Sequence, residues 1–355
     1  MLASLFNFGA FLYLAVAGSI ARKNFLLYAL FLFYSLIFVI ISRDVSYYFT
    51  PHYLRYDAAL LIGLFFIILR KTSKFVMPIN FKDEILVLAT LCFIFYQVIY
   101  SGGHLFFGYS SHNAAGAVAG MILISLSMTP RESQIKFILL LFVFVFAVFA
   151  AGSRQSILAL IFAGILVKTN FIERSFWWIY ILLTILSILL GLVFLELWIE
   201  NGRIFPDHET GWSSEGFEFL PYRNETIAVR MLYYFPRAIE MFFQNPFFGT
   251  GLGSSNDRIE AFNCNGLLCN LRFEKVSYSA DNPHNQFLTI LAEQGIFGWF
   301  LLGLLLKSVY QSSNRHDRTL LMFGLFLSIF ENRLASPSYF FTYYILSETV
   351  ARKRL

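Results

Sequence analysis

The sequence predicts an all-α polytopic membrane protein, with about eleven to twelve transmembrane helices and one large loop on one side of the bilayer. Three observations predict it. First, 57% of the 355 residues are apolar or aromatic, 43 of them phenylalanine. Second, charged residues make up only 14%, where a soluble domain averages about 25%. One soluble core cannot hide that much apolar surface. A bilayer accepts it, because helices satisfy their own backbone and lipid solvates the side chains. Third, basic residues collect on alternate connections between the apolar runs.

The apolar runs place helices at about 2–20, 25–42, 53–70, 84–101, 112–128, 136–152, 154–168, 176–199, 285–306, 318–331 and 337–350. The stretch 136–168 is interrupted only at Gly152, Ser153 and Arg154. It reads as two short spans, because an arginine at mid-membrane is costly. One set of connections then carries 16 basic residues, among them Arg22, Lys74, Arg131, Lys168, Lys307 and Arg352. The other short connections carry four: Arg43, Arg55, Arg154 and Arg333. This asymmetry puts the C-terminus inside and, with eleven spans, the N-terminus outside. A twelfth helix would remove that unusual start. The first run has no basic residues before it and Arg22 and Lys23 after it, so it reads as a retained span rather than a cleaved signal.

The single integral domain thus divides into an N-terminal bundle over 1–199, a large outer loop over 200–284 and C-terminal helices over 285–355. The loop holds seven basic residues but is acidic overall. The net charge of +5 is spread over segment ends and forms no nucleic-acid patch. Of the three cysteines, only Cys264 and Cys269 share a polar loop. They are placed to form a short disulfide in an oxidising compartment, or to remain two thiols.

His284 stands where the outer loop meets the ninth span, after Asp281, Asn282 and Pro283. An imidazole at that boundary can exchange a proton near neutral pH, or simply cap a helix. Arg154 sits at the Gly–Ser break on the outer side. There a guanidinium can take a diphosphate in bidentate fashion, or snorkel to headgroups. Arg230 and Arg237 lie seven residues apart and would share one face of an interfacial helix, kinked at Pro236. The solvated alternative for both is an ordinary amphipathic surface. Gly249, Gly251 and Gly253 read first as a tight turn and second as backbone open to a phosphate. Glu293, about two turns into the ninth span, needs a polar partner or a cavity. His104 and His112 take no role, and no His/Cys/carboxylate cluster has metal-ligand spacing.

Four stretches, taken together, resemble the O-antigen ligase / O-antigen polymerase superfamily. His284 and Asn285 are followed by nine residues and then by Gly295, Ile296, Phe297 and Gly298. Arg230 is followed sixteen residues on by Pro246, then Gly249, Gly251 and Gly253. Gly152, Ser153 and Arg154 are similar to the family's Gly–Ser–Arg turn, and His112 with Asn113 to its Asn-rich helix start. The order and spacing of the set carry the resemblance, which is strongest in the second half of the chain.

The resemblance implies a lipid-carrier-dependent glycosyltransferase of the bacterial inner membrane with its site facing the periplasm. It implies a glycan donor on undecaprenyl diphosphate, and lipid A–core or another lipid-linked glycan as acceptor, without metal or cofactor. His284 would be the catalytic base, and Arg154, Arg230 and Arg237 would bind the diphosphate. Asn285, Gly249, Gly251 and Asn113 would line the site. Ligase is the first reading and polymerase the alternative. A transporter or flippase is a third class, and it predicts charges along several spans and inverted repeats.

Overall fold

The computed structural model describes residues 22–42, 112–128, 154–168, 176–200, 235–251 and 285–330, part of 60–68, and single helical positions at 138, 142, 145, 339, 342, 343 and 346. Among the described residues every regular element is an α-helix and there is no strand. In chain order they are α1 (Arg22–Ser42), α2 (His112–Met128), α3 (Arg154–Lys168), α4 (Phe176–Glu200), α5 (Phe235–Gln244), α6 (Gln286–Gln311) and α7 (Arg315–Leu327). The spans predicted at 2–20 and 84–101 lie outside the described residues.

Helices α1 to α4 are apolar on every face, the pattern of a helix surrounded by lipid and other helices rather than water. Two of the described helices, α4 and α6, are long and apolar enough to cross a membrane. On α4, Trp178, Leu182, Ile185, Leu189 and Val193 recur at helical spacing and are exposed, which marks the lipid-facing side. The opposite side of α4 carries Phe176, Tyr180, Leu183 and Ser187, all buried.

Helix α6 is the centre of the bundle and packs against α1, α4 and α5, while α7 packs against α2 and α3. Lipid gives helices no hydrophobic reason to associate, so close packing and polar contacts hold them together. The Tyr180 ring stacks on Trp299 at 5.1 Å and meets the edge of Phe287 at 5.6 Å. Trp299 donates its indole N–H to Thr184 at 2.9 Å, and Tyr180 donates to the Trp299 carbonyl at 3.1 Å. Ser308 of α6 donates to Asn24 of α1 at 2.5 Å. His316 of α7 bridges Ser125 of α2 at 2.8 Å and its neighbour Asp317 at 3.0 Å.

Three sequence expectations need correction. The ninth span does not end near 306 but runs to Gln311, and its helical path breaks at Gly295 (φ 63, ψ −166). Lys307 therefore lies inside α6, over the Trp177 ring at 5.6 Å, and not in a connecting loop. The next helix starts at Arg315 rather than 318. Asn314 caps it by accepting from the Asp317 N–H at 2.9 Å, and Asp317 favours the positive end of the dipole.

Candidate functional site at the start of the broken helix

Asn285 begins α6. Its extended backbone and its Oδ1, which accepts from the Phe287 and Leu288 N–H groups at 3.0 Å each, make it the N-cap. The Gln286 N–H donates to the Ser328 carbonyl at the end of α7, at 2.8 Å. The Gln286, Phe287 and Leu288 N–H groups, which a helix start would otherwise leave open, are thus used within the fold.

Ten residues after Asn285, the break at Gly295 frees backbone groups in the middle of the helix. The segment Pro246–Gly251 fills it. The Pro246 and Phe247 carbonyls accept from the Ile296 and Phe297 N–H groups at 2.8 and 3.1 Å. In return, Thr250 and Gly251 donate their N–H groups to the Ala292 and Glu293 carbonyls at 2.9 and 2.8 Å. The Tyr34 hydroxyl of α1 closes the account by donating to the Gln294 carbonyl at 2.6 Å. Irregular backbone inside a membrane protein survives only where such partners exist.

This clip explains two glycines. Gly249 (φ 76) and Gly295 (φ 63) adopt left-handed backbone. A Cβ on Gly249 would land on the Glu293–Gln294 peptide, and one on Gly295 on the Phe247 carbonyl. Gly249→Ala is therefore expected to lower the melting temperature of the detergent-purified protein, since strain of this kind costs about 1–3 kcal/mol. An unchanged thermal midpoint would remove the clip from the account of stability. The Gly249 and Gly251 N–H groups donate to the Asn245 and Glu293 carbonyls, so these amides are not open to a phosphate.

The clip also sets the place of α5. Space at Gly191 of α4 is closed by both Ile239 and Leu288, so α5 runs alongside the first part of α6. Arg237 thereby sits towards the end at which Asn285 lies. The interfacial-helix expectation fails here: Phe235 through Met241 are buried, Arg237 at 7% exposure and Glu240 at 4%. The kink expected at Pro236 is not tested, because the stretch from Arg230 to Tyr234 lies outside the described residues.

Of the other expected site residues, Arg154 is the first residue of α3 and Asn113 the second of α2, but their side chains lie outside the described residues. His284, Arg230, Cys264 and Cys269 also lie outside them. The middle of α3 packs on the end of α7, where Phe162 stacks at 4.5 Å on Phe326, two residues before Ser328. Sequence reasoning missed a buried polar set on the first part of α6. Gln286, Thr289 and Gln294 join Glu293 and Asn285 there, all under 7% exposed. Their signal was polar residues at helical spacing in an apolar span, which in a membrane points to function.

Residues 137–303 match the family model described as O-antigen ligase. The match covers α3, α4, α5, the clip and α6 as far as Gly303, and so takes in every expected site residue except Asn113. No curated protein and no solved structure matches the chain.

Proposed function

From the match of residues 137–303 to the O-antigen ligase model, we propose that this chain acts as a member of the O-antigen ligase / O-antigen polymerase superfamily and transfers an O-antigen-type glycan from undecaprenyl diphosphate to lipid A–core oligosaccharide. The site would face the periplasm from the bacterial inner membrane, with residues 200–284 covering it and excluding water, which would otherwise hydrolyse the donor. Residues 1–199 and 285–355 would form the surrounding bundle, and Cys264 and Cys269 would close a small ring in the loop.

In the transfer step, the acceptor hydroxyl oxygen attacks the anomeric carbon. The bond from that carbon to the carrier diphosphate breaks, and the diphosphate leaves with the electron pair. His284 takes the hydroxyl proton. Arg154 and Arg230, helped by Arg237, neutralise the leaving charge. A single displacement inverts the anomeric centre. No metal or cofactor takes part in this scheme.

The observation that carries the reading is the buried Arg237, held on α5 towards the Asn285 end of α6. A buried charged side chain in an apolar bundle points to a functional position. The Gln286, Phe287 and Leu288 amides are already committed, which favours side chains for anion binding at this end.

Polymerase is the second reading, since the same steps with a lipid-linked acceptor lengthen the glycan. Cells lacking the protein distinguish the two. A ligase defect leaves full-length glycan on the lipid carrier and none on lipid A–core. A polymerase defect leaves single repeat units. Normal surface polysaccharide together with normal lipid-linked intermediates would exclude both readings.

A further inference from the structure

The sequence invests two carboxamides at the start of α6, and each leaves an end unused. Asn285 is fully buried, and its Oδ1 is committed to the Phe287 and Leu288 N–H groups. That pairing fixes the orientation of the amide, because a flip would set N–H against N–H. Its Nδ2 therefore remains, with no hydrogen-bond partner among the described residues. Gln286, 2% exposed, has its Oε1 in the same condition. Exchanging the two ends of its amide would not cure this, since a buried Nε2 would then face the same empty position.

Leaving such groups unpaired works against folding, and more so within a membrane. Capping explains Asn285 Oδ1 but not Nδ2, and nothing in the helix requires a glutamine at 286. We propose that Asn285 Nδ2 and Gln286 Oε1 are specificity-determining groups that hydrogen-bond hydroxyls of the sugar at the transfer site. One offers a donor and the other an acceptor, which together suit a hydroxyl or a pair of hydroxyls. They stand one and two residues after His284, so the sugar they hold is at the reacting centre. This inference rests on the glycosyltransferase reading. It adds the chemistry by which the substrate is chosen: a sugar lacking the matched hydroxyl leaves buried polar groups unpaired, and sites of that kind discriminate strongly.

The test has two arms. In the first, Gln286→Met keeps the volume and removes the acceptor. Without substrate, the thermal midpoint of the purified variant should equal or exceed that of the wild type, because an unpaired buried oxygen has gone. A lower midpoint means that Oε1 was already paired, by water or by the loop, and overturns the proposal whether or not transfer is ever observed. In the second arm, transfer is measured with the native lipid-linked glycan and with panels of donors and acceptors each missing one hydroxyl. Gln286→Met should lose about 10- to 100-fold with the native pair. It should lose nothing further with the one deoxy sugar that the wild type already rejects. Whether that sugar is in the donor or the acceptor panel tells which substrate is read. A uniform loss across both panels, or no loss, also overturns the proposal. Wild-type protein that transfers no glycan at all would instead refute the function proposed above, and the thermal arm would still decide the state of Gln286.

Discussion

Replacing His284 with alanine is expected to reduce glycan transfer by about 10²- to 10⁴-fold, the usual contribution of a positioned general base, while the protein still inserts and folds. The separation of the two effects follows from the local structure. The cap of α6 is made by Asn285, the first turn is tied to Ser328, and the rest of the helix is held by the clip and by Tyr34. None of these contacts involves the imidazole. Membrane-extracted His284→Ala should therefore show the wild-type elution profile and thermal midpoint, with transfer from purified lipid-linked donor almost gone. Near-normal transfer would end the catalytic assignment. A variant lost from the membrane would place His284 in the architecture instead. Asn285→Ala should behave in the opposite way. Losing the cap costs about 1 kcal/mol, so both stability and transfer should fall.

How far the sequence revealed this arrangement depends on the kind of signal each element carries. Helices α2 and α3 span the ranges expected from apolar runs, and α4 differs by one residue, because charged or polar residues bracket each run. The break in α6 was invisible to that reading. Gly295 and Gly298 suggest a weak point, but the break is defined by backbone from Pro246–Gly251, more than forty positions upstream. No periodicity reports such a contact. The same holds for α5. Its alternation of Arg237, Glu240 and apolar residues looks like a surface helix, and only docking between α4 and α6 turns it into a buried one. Motif spacing did better, since it drew Pro246, Gly249, Gly251 and Gly295 together as members of one pattern. The structure supplies the physical reason: the two stretches are halves of one backbone-to-backbone clip. The polar set on α6 was legible at Glu293 but not at Gln286, because a single glutamine at a span's edge looks like an ordinary boundary residue.

The second large effect concerns the arginines. Arg154→Lys and Arg230→Lys are each expected to fall most of the way towards the alanine variants, a loss of roughly 2–4 kcal/mol or about 30- to 1000-fold in rate. A diphosphate offers paired oxygens that a planar guanidinium meets with two parallel N–H bonds, and an ammonium cannot reproduce that fork. The fold sharpens the demand. The start of α6 has spent its amide donors on Asn285 and Ser328, and the glycine turn has spent its own on Asn245, Ala292 and Glu293. These described backbone donors are already committed, which in this scheme leaves the charge to side chains. An arginine that only reaches for lipid headgroups would tolerate lysine, because its task is to place a positive charge at the surface. Arg237, buried on α5, should be intermediate in transfer and should also lose stability on truncation. Arg258 serves as the control without effect. Transfer should persist in EDTA, since guanidinium groups rather than a divalent ion neutralise the leaving group in this scheme. Rate measurements on purified protein with lipid-linked donor decide between the two roles. Full activity in both lysine variants, or a strict requirement for added Mg²⁺ or Mn²⁺, would rule out the arginine clamp and leave charge neutralisation to another agent.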